Sequence, residues 1–308
     1  MGLTIYTHAS GLDHQTPDGH IERRERQQTL LDLFASDFSD VPVKTAPQAT
    51  LDQVLAAHDE SYVFALEEKQ PMSGIIPLDG GDTYMSPDSY TTALHASGAA
   101  VMAVDDVLSG ESKTAFCAMR PPGHHAEPNA PMGFCLFNQI FIGALHALED
   151  ANINKVAIVD FDVHHGNGSE TMALKHDGVF YISSHQWPLF PGTGGPDTST
   201  EGRVLNIPLA EGTGSKTFRA VYEEQVFPAL EAYAPDLLMI SAGFDACADD
   251  PSASLNLQPD DFGWVTEQLI QKTALTTGGK TVSVLEGGYN LDNLKLCAAA
   301  HLNALIAA

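Results

Sequence analysis

Two carboxylates and an imidazole alternate along Asp160-Phe161-Asp162-Val163-His164. In an extended backbone successive side chains point to opposite faces, so residues 160, 162 and 164 would share one side. Aspartate is depleted in strands and costly to bury without a partner, so such a set calls for a cation. The chemistry it supports is metal binding. A second cluster, Arg120-Pro121-Pro122-Gly123-His124-His125-Ala126, places adjacent histidines after a rigid Pro-Pro pair. Histidine titrates near neutrality and serves as general base or general acid. Two weaker signals are Ser241-Ala242-Gly243-Phe244-Asp245 and Glu286-Gly287-Gly288-Tyr289-Asn290. Alone, the first reads equally well as a turn with a solvated aspartate, and the second as a Gly-Gly turn before a helix.

Each of these segments follows an apolar run short enough to be a strand. The pattern predicts strands at residues 3–7, 115–119, 156–160, 179–183, 237–241 and 281–285. Several are apolar almost throughout, as expected where helices cover both sheet faces. Helices are predicted from Ser86-Pro87 to about Leu108, from Ser215 to about Tyr233 with an interruption at Pro228, from Pro259, and from Leu291 to Ile306. Strands alternating with helices indicate an α/β fold, an open and mostly parallel sheet with helices on both faces. No repeat, linker or low-complexity tract divides the chain, so residues 1–308 are expected to form one domain. In such sheets ligands bind at the carboxyl ends of the strands, where the four segments lie.

Composition excludes several alternatives. Forty acidic against fifteen basic residues give a net charge of −25, which opposes direct binding to nucleic acid. The four cysteines, Cys117, Cys135, Cys247 and Cys297, form no C-x-x-C pair, so neither a disulfide framework nor a zinc ribbon is expected. The opening residues carry no basic and apolar signal segment, and no apolar run is long enough to span a membrane. The expected location is cytoplasmic.

Together the four segments, with Phe190-Pro191-Gly192-Thr193-Gly194 between them, resemble the histone deacetylase family in order and rough spacing. The likeness covers nearly the whole chain and is strongest to the class II branch and its bacterial relatives, which include acetylpolyamine amidohydrolases. The stretch His14–Arg26 is similar to that branch's N-terminal loop. By resemblance the fold is arginase/deacetylase-like, and the activity is zinc-dependent hydrolysis of an N-acetyl amide. The resemblance implies zinc ligands Asp162, His164 and Asp245, with Asp160 behind them rather than on the metal. It makes His125 the general base and acid and His124 its electrostatic partner, oriented by Asn167 and Asp160 respectively. Tyr289 matches the tyrosine that hydrogen-bonds the oxyanion. Phe134 and Phe190 match the walls of the acyl-lysine tunnel, with Gly133 contributing backbone; without the family context, ordinary core packing is the simpler account of both rings. A structural potassium site is implied at Asp160, Asp162 and His164 with Ser183 and Ser184. Ser252 aligns with the tunnel rim, where polyamine-selective relatives carry glutamate. Its neighbours Asp249 and Asp250 read as solvated loop residues.

The leading substrate is therefore an acetylated amine, of the acetyl-lysine type in a protein or peptide. An acetylpolyamine is the alternative, and a homo-oligomer is compatible with either. An arginase-like binuclear hydrolase would need further Asp and His ligands, and a non-catalytic acyl-lysine binding module would have no use for Tyr289 and His125.

Overall fold

The computed structural model describes residues 2–308. Along the chain run β1 (Leu3–Thr7), α1 (Arg24–Asp37), β2 (Val43–Thr45), α2 (Leu51–Leu55), α3 (Glu60–Lys69), β3 (Ile76–Pro77) and β4 (Tyr84–Met85). Next come α4 (Ser89–Ser109), β5 (Thr114–Cys117), α5 (Gln139–Ala147), β6 (Val156–Asp160), α6 (Asn167–Ala173), β7 (Val179–Gln186) and β8 (Val204–Leu209). The rest is α7 (Ser215–Val221), α8 (Phe227–Tyr233), β9 (Leu237–Ala242), α9 (Pro259–Thr277), β10 (Thr281–Leu285) and α10 (Leu291–Ala307).

Eight strands form one open sheet in the order β2-β1-β5-β10-β9-β6-β7-β8, and every described pairing in it is parallel. Strands β3 and β4 form a separate antiparallel ribbon. The apolar character of the central strands follows from their position. Along β6, Val156 and Ile158 feed one core with α4 and α5, while Ala157 and Val159 feed the other with α1, α9 and α10. Period-two alternation therefore supplies both layers from one continuous apolar run.

The six expected strands are present, with β5 ending at Cys117 and β7 running on to Gln186. Two edge strands were not expected. β2 is three residues long and half exposed, and β8 contains Pro208. Proline is tolerated there because an edge strand has no partner for the missing N–H. Helix α4 begins two residues beyond Pro87, after Asp88. Ser215 does not cap α7; it opens the helix, and its hydroxyl donates to Asp261 Oδ2 at 2.6 Å. The interruption at Pro228 takes the form of a wider π-turn over Tyr222–Val226, between α7 and α8. A proline cannot donate to the carbonyl four residues back, and a local widening absorbs the defect.

Candidate active site

The four chemical segments converge because they follow four adjacent strands. In the sheet order β5-β10-β9-β6, the loops after these strands carry His124 and His125, then Tyr289, then Asp245, then Asp162 and His164. The strands also end level, for Asp160 pairs with Ser241, Ser241 with Val284, and Val284 with Cys117. A 660 Å³ cavity lined by Leu3, Phe38, Val41 and Ile306 lies near the start of β1 and contains none of these residues.

Strand β6 stops at Asp160, so the extended arrangement expected through residue 164 is not what gathers the acidic and imidazole groups. A tight bend does so instead: Asp162 Oδ1 accepts from the His164 N–H at 2.8 Å. Asp162, His164 and Asp245 each offer one ligand atom, and these atoms lie within 4.8 Å of one another. The two carboxylates are about 1% exposed, and the His164 side chain is 12% exposed. Asp245 Oδ1 accepts from Val163 N–H at 2.9 Å. Its Oδ2 lies 3.2 Å from His164 Nδ1 but outside hydrogen-bonding geometry, and is left with no hydrogen bond. A buried carboxylate oxygen without a partner is expensive unless a cation supplies one. The donor set, two carboxylates and an imidazole, suits a divalent ion. Gly287 adds to the cradle, since a Cβ there would lie 2.0 Å from Asp245 Oδ2 and 2.6 Å from Asp162 Oδ2.

The electrostatics point the same way. Burial opposes charge on His164, but the hydrogen-bonded Asp162 and the nearby Asp245 carboxylate outweigh it and raise the ring to about 10. Burial, then the Asp162 charge, pushes Asp245 up to about 7. Asp162 is buried too, yet positive His124 and hydrogen bonds from His164 bring it below the carboxylate range. The pocket has an excess of negative charge.

Beside it, the histidine pair is split by its partners. His124 Nδ1 donates to Asp160 Oδ2 at 2.9 Å, and Tyr181 donates its hydroxyl to the same oxygen at 2.8 Å. Burial works against charge on His124, but the Asp160 and Asp162 carboxylates hold the ring well above its usual value. His125 Nδ1 faces Asn167 Oδ1 at 2.8 Å. The amide is oriented by donating Nδ2–H to Glu127 Oε1 at 2.5 Å, so Oδ1 must accept and His125 must carry its proton on Nδ1. Nε2 is then a free lone pair. Burial, with His124 and His164 nearby, holds His125 well below the ordinary histidine range. One ring is set to be charged and its neighbour, 4.0 Å away, to accept a proton.

Tyr289 is placed from three sides. The Arg26 guanidinium lies 4.9 Å above its ring, and the Phe134 ring meets it edge-on at 5.7 Å. Arg26 also donates Nε–H to the Gly288 carbonyl at 2.7 Å and Nη2–H to the Glu286 carbonyl at 2.5 Å. Asp250 accepts from the Tyr289 N–H at 2.8 Å. Burial pushes the Tyr289 hydroxyl well above its usual value while Arg26 works against that shift, so it remains a donor.

Phe134 and Phe190 flank this centre rather than filling the core. Phe190 is 40% exposed, and its ring lies 5.1 Å from His125 and 6.3 Å from His164. Its loop is tied down by His165, whose Nδ1 pairs with Thr193 Oγ1 at 2.7 Å. Phe134 adopts φ 70 after Gly133 at φ 54. Of the other expected residues, Ser183 Oγ pairs with His185 Nδ1 and Ser184 Oγ with Tyr222, each at 2.9 Å. Ser252 is half-buried, and its hydroxyl donates to Asp250 Oδ1 at 2.7 Å. Asp250 is not the solvated residue expected, for it is 6% exposed and bonded on both oxygens. Asp249 is exposed, as expected.

Several supporting residues carried weak signals or none. Glu286 Oε2 accepts from the Gly123 and His124 N–H groups at 2.7 and 3.1 Å, joining the histidine loop to the tyrosine loop. Burial raises its carboxyl to about 7 despite the His124 charge. Glu22 lies buried between Arg26 and Arg120, accepting from Arg26 Nη1 at 3.1 Å and from Arg120 Nη2 at 2.6 Å. Its i,i+4 spacing to Arg26 was the available clue.

Residues 20–305 match the family model described as the histone deacetylase domain. A curated relative from Arabidopsis thaliana, "Histone deacetylase 14, chloroplastic", is 36% identical over 84% of this chain, which spans 64% of that protein's length. The "Histone deacetylase-like amidohydrolase" of Pseudomonas aeruginosa is 35% identical over 93% of this chain and 77% of its own. Among solved structures, the HDA15 HD domain superposes with a TM-score of 0.92 at 31% identity, covering 99% of this chain and 88% of that one.

Proposed function

The chain belongs to the histone deacetylase family, and from that premise we propose that it is a zinc-dependent amidohydrolase acting on acetyl-lysine-type amides, carried by residues 1–308 as one domain. The observation that carries the reading is the buried Asp162–His164–Asp245 set with its unpartnered Asp245 oxygen, beside a histidine with a free Nε2. Zinc held by those three residues supplies an electrophile for the acyl carbonyl and lowers the pKa of water toward about 7.

The protein's own groups do the rest. His125 Nε2 takes the proton of the attacking water and returns it to the departing amine nitrogen. His124, paired with Asp160, keeps positive charge beside the centre as negative charge develops. Tyr289 donates its hydroxyl to the oxyanion, an interaction whose loss typically costs about 10²–10³ in rate. Phe134 and Phe190 line the acyl stem, with the Gly133 backbone against His125. Potassium at Asp160, Asp162, His164, Ser183 and Ser184 belongs to the same reading, as a counter-charge to the buried carboxylates.

Ser252 favours acetyl-lysine-type substrates over acetylpolyamines. The position carries no charge, and its hydroxyl is committed to Asp250. The test is metal analysis together with turnover of an acyl-lysine peptide panel and acetylpolyamines, in the native protein and after chelation. Asp245→Ala and His164→Ala should lose zinc and activity while keeping the fold. Full activity in a chelated, metal-free sample would refute the assignment.

A further inference from the structure

We propose that Asp250 is a positioning residue that sets Tyr289 over the reacting centre and ties it to the rim at Ser252. The proposal rests on the reading that Tyr289 stabilises the oxyanion. One carboxylate serves four donors. Asp250 Oδ2 accepts from Tyr289 N–H at 2.8 Å and from Asn290 N–H at 3.1 Å. Its Oδ1 accepts from Ser252 N–H at 3.0 Å and from Ser252 Oγ–H at 2.7 Å. The side chain is 6% exposed, so these bonds replace water entirely, and hydrogen bonds to a buried carboxylate are the strong kind.

The tyrosine loop needs such an anchor. Gly287 and Gly288 precede Tyr289, and Gly288 sits at φ 115, so no side chain restrains the backbone there. Ring contacts with Arg26 and Phe134 fix the ring plane, and Arg26 holds the carbonyls of Glu286 and Gly288 before it, but the N–H groups of Tyr289 and Asn290 are held by Asp250. The loops are laced together further on, where Asn290 Nδ2 donates to the Asp249 carbonyl at 3.1 Å and Asn293 Nδ2 to the Ala248 carbonyl at 2.5 Å. Only Asp250 reaches Tyr289 itself within this lacing.

Asparagine is a weak probe of this carboxylate, because its Oδ1 could keep both the Tyr289 and Asn290 bonds while its NH2 donates to the Ser252 hydroxyl, which can accept. Alanine removes the carboxylate and leaves the Tyr289, Asn290 and Ser252 N–H groups without their acceptor. A small backward pivot of the tyrosine hydroxyl then weakens an interaction made in the transition state, which lowers kcat rather than raising KM.

The experiment compares kcat and KM on an acetyl-lysine peptide for the zinc-loaded wild type, Asp250→Ala, Tyr289→Phe and the double variant. Tyr289→Phe should lower kcat about 10²-fold. Asp250→Ala should lower kcat about tenfold or more with KM changed less than about threefold. In the Tyr289→Phe background the same change should cost less than about twofold, since no hydroxyl remains to be misplaced. A full tenfold loss persisting in that background overturns the proposal, as does wild-type kcat in Asp250→Ala when Tyr289→Phe is impaired. Wild-type kcat in Tyr289→Phe sinks the oxyanion reading and the positioning role with it. Hydrogen exchange in the unsubstituted protein provides a check independent of variant folding. The Tyr289 and Asn290 amides should exchange about 10²-fold or more slowly than in a free peptide, and unprotected exchange overturns the clamp.

Discussion

Replacing Gly133 by alanine should separate catalytic damage from loss of stability. A Cβ at this position would lie 2.3 Å from Cδ2 and 2.7 Å from Cγ of His125. Carbon atoms settle at about 3.5–4 Å, so the imidazole must retreat by roughly 1 Å or the Gly133 backbone must yield. The backbone has little freedom to do so, because Gly133 sits at φ 54 and Phe134 at φ 70. A left-handed alanine costs about 1–2 kcal/mol, a shift of about 2–3 degrees in Tm for a chain of this size. Catalysis should suffer far more. His125 is held between Asn167 Oδ1 at 2.8 Å and the neighbouring His124 ring, and a 1 Å misplacement of a catalytic group can cost about 10²-fold. Steady-state kinetics on an acetyl-lysine peptide should show kcat down about 10²-fold, beside a melting curve displaced only modestly and zinc content unchanged. Wild-type kcat in a variant that folds would refute the reasoning, because His125 could then be displaced without consequence.

Two other predictions address substrate choice and acid stability. The kcat/KM for an acetyl-lysine peptide should exceed that for acetylspermidine, and Ser252→Glu should shift the ratio toward the polyamine about fivefold, the worth of one half-exposed ion pair; a tenfold polyamine advantage in the wild type would reverse the assignment. His301 is fully buried, and its pKa is pushed down to about 3 by burial, while the unfolded chain titrates near 6.5. The unfolded state therefore binds the extra proton first as pH falls, and stability drops by about 1.4 kcal/mol per unit between roughly pH 6.5 and 3. Thr266 Oγ1 gives its proton to the Phe262 carbonyl at 2.7 Å, so His301 donates from Nδ1 and accepts from Ser283 at Nε2, as a neutral ring must. His301→Gln should shrink the stability difference between pH 7 and 4.5 by roughly 2–3 kcal/mol, read by denaturant melts at each pH; an unchanged difference would show that His301 does not titrate on unfolding.

How much of this was legible in the sequence depended on whether a residue's signal was local. The central strands announced themselves because burial on both faces leaves little but Val, Ile, Leu and Ala in runs such as 156–159. The edge strands did not, since β2 is short and exposed and β8 carries Pro208, which only an edge can tolerate. Asp162 and His164 stood out through type and spacing, although the backbone that gathers them is a bend rather than the extended strand that spacing alone implied. The acids that sequence alone leaves without a role, and in the case of Asp250 assigns to solvated surface, join separate loops. Glu286 bonds the backbone of residues 123 and 124, and Asp250 bonds the backbone of residues 289 and 290. In sequence such acids are indistinguishable from the many that give the chain its charge of −25. Their meaning comes from the sheet order, which sets β10 between β5 and β9 and so brings the tyrosine loop against both the histidine loop and the Asp245 loop. A parallel sheet with crossovers makes neighbours of segments more than a hundred residues apart, and the acids that join those segments are only intelligible once that order is known.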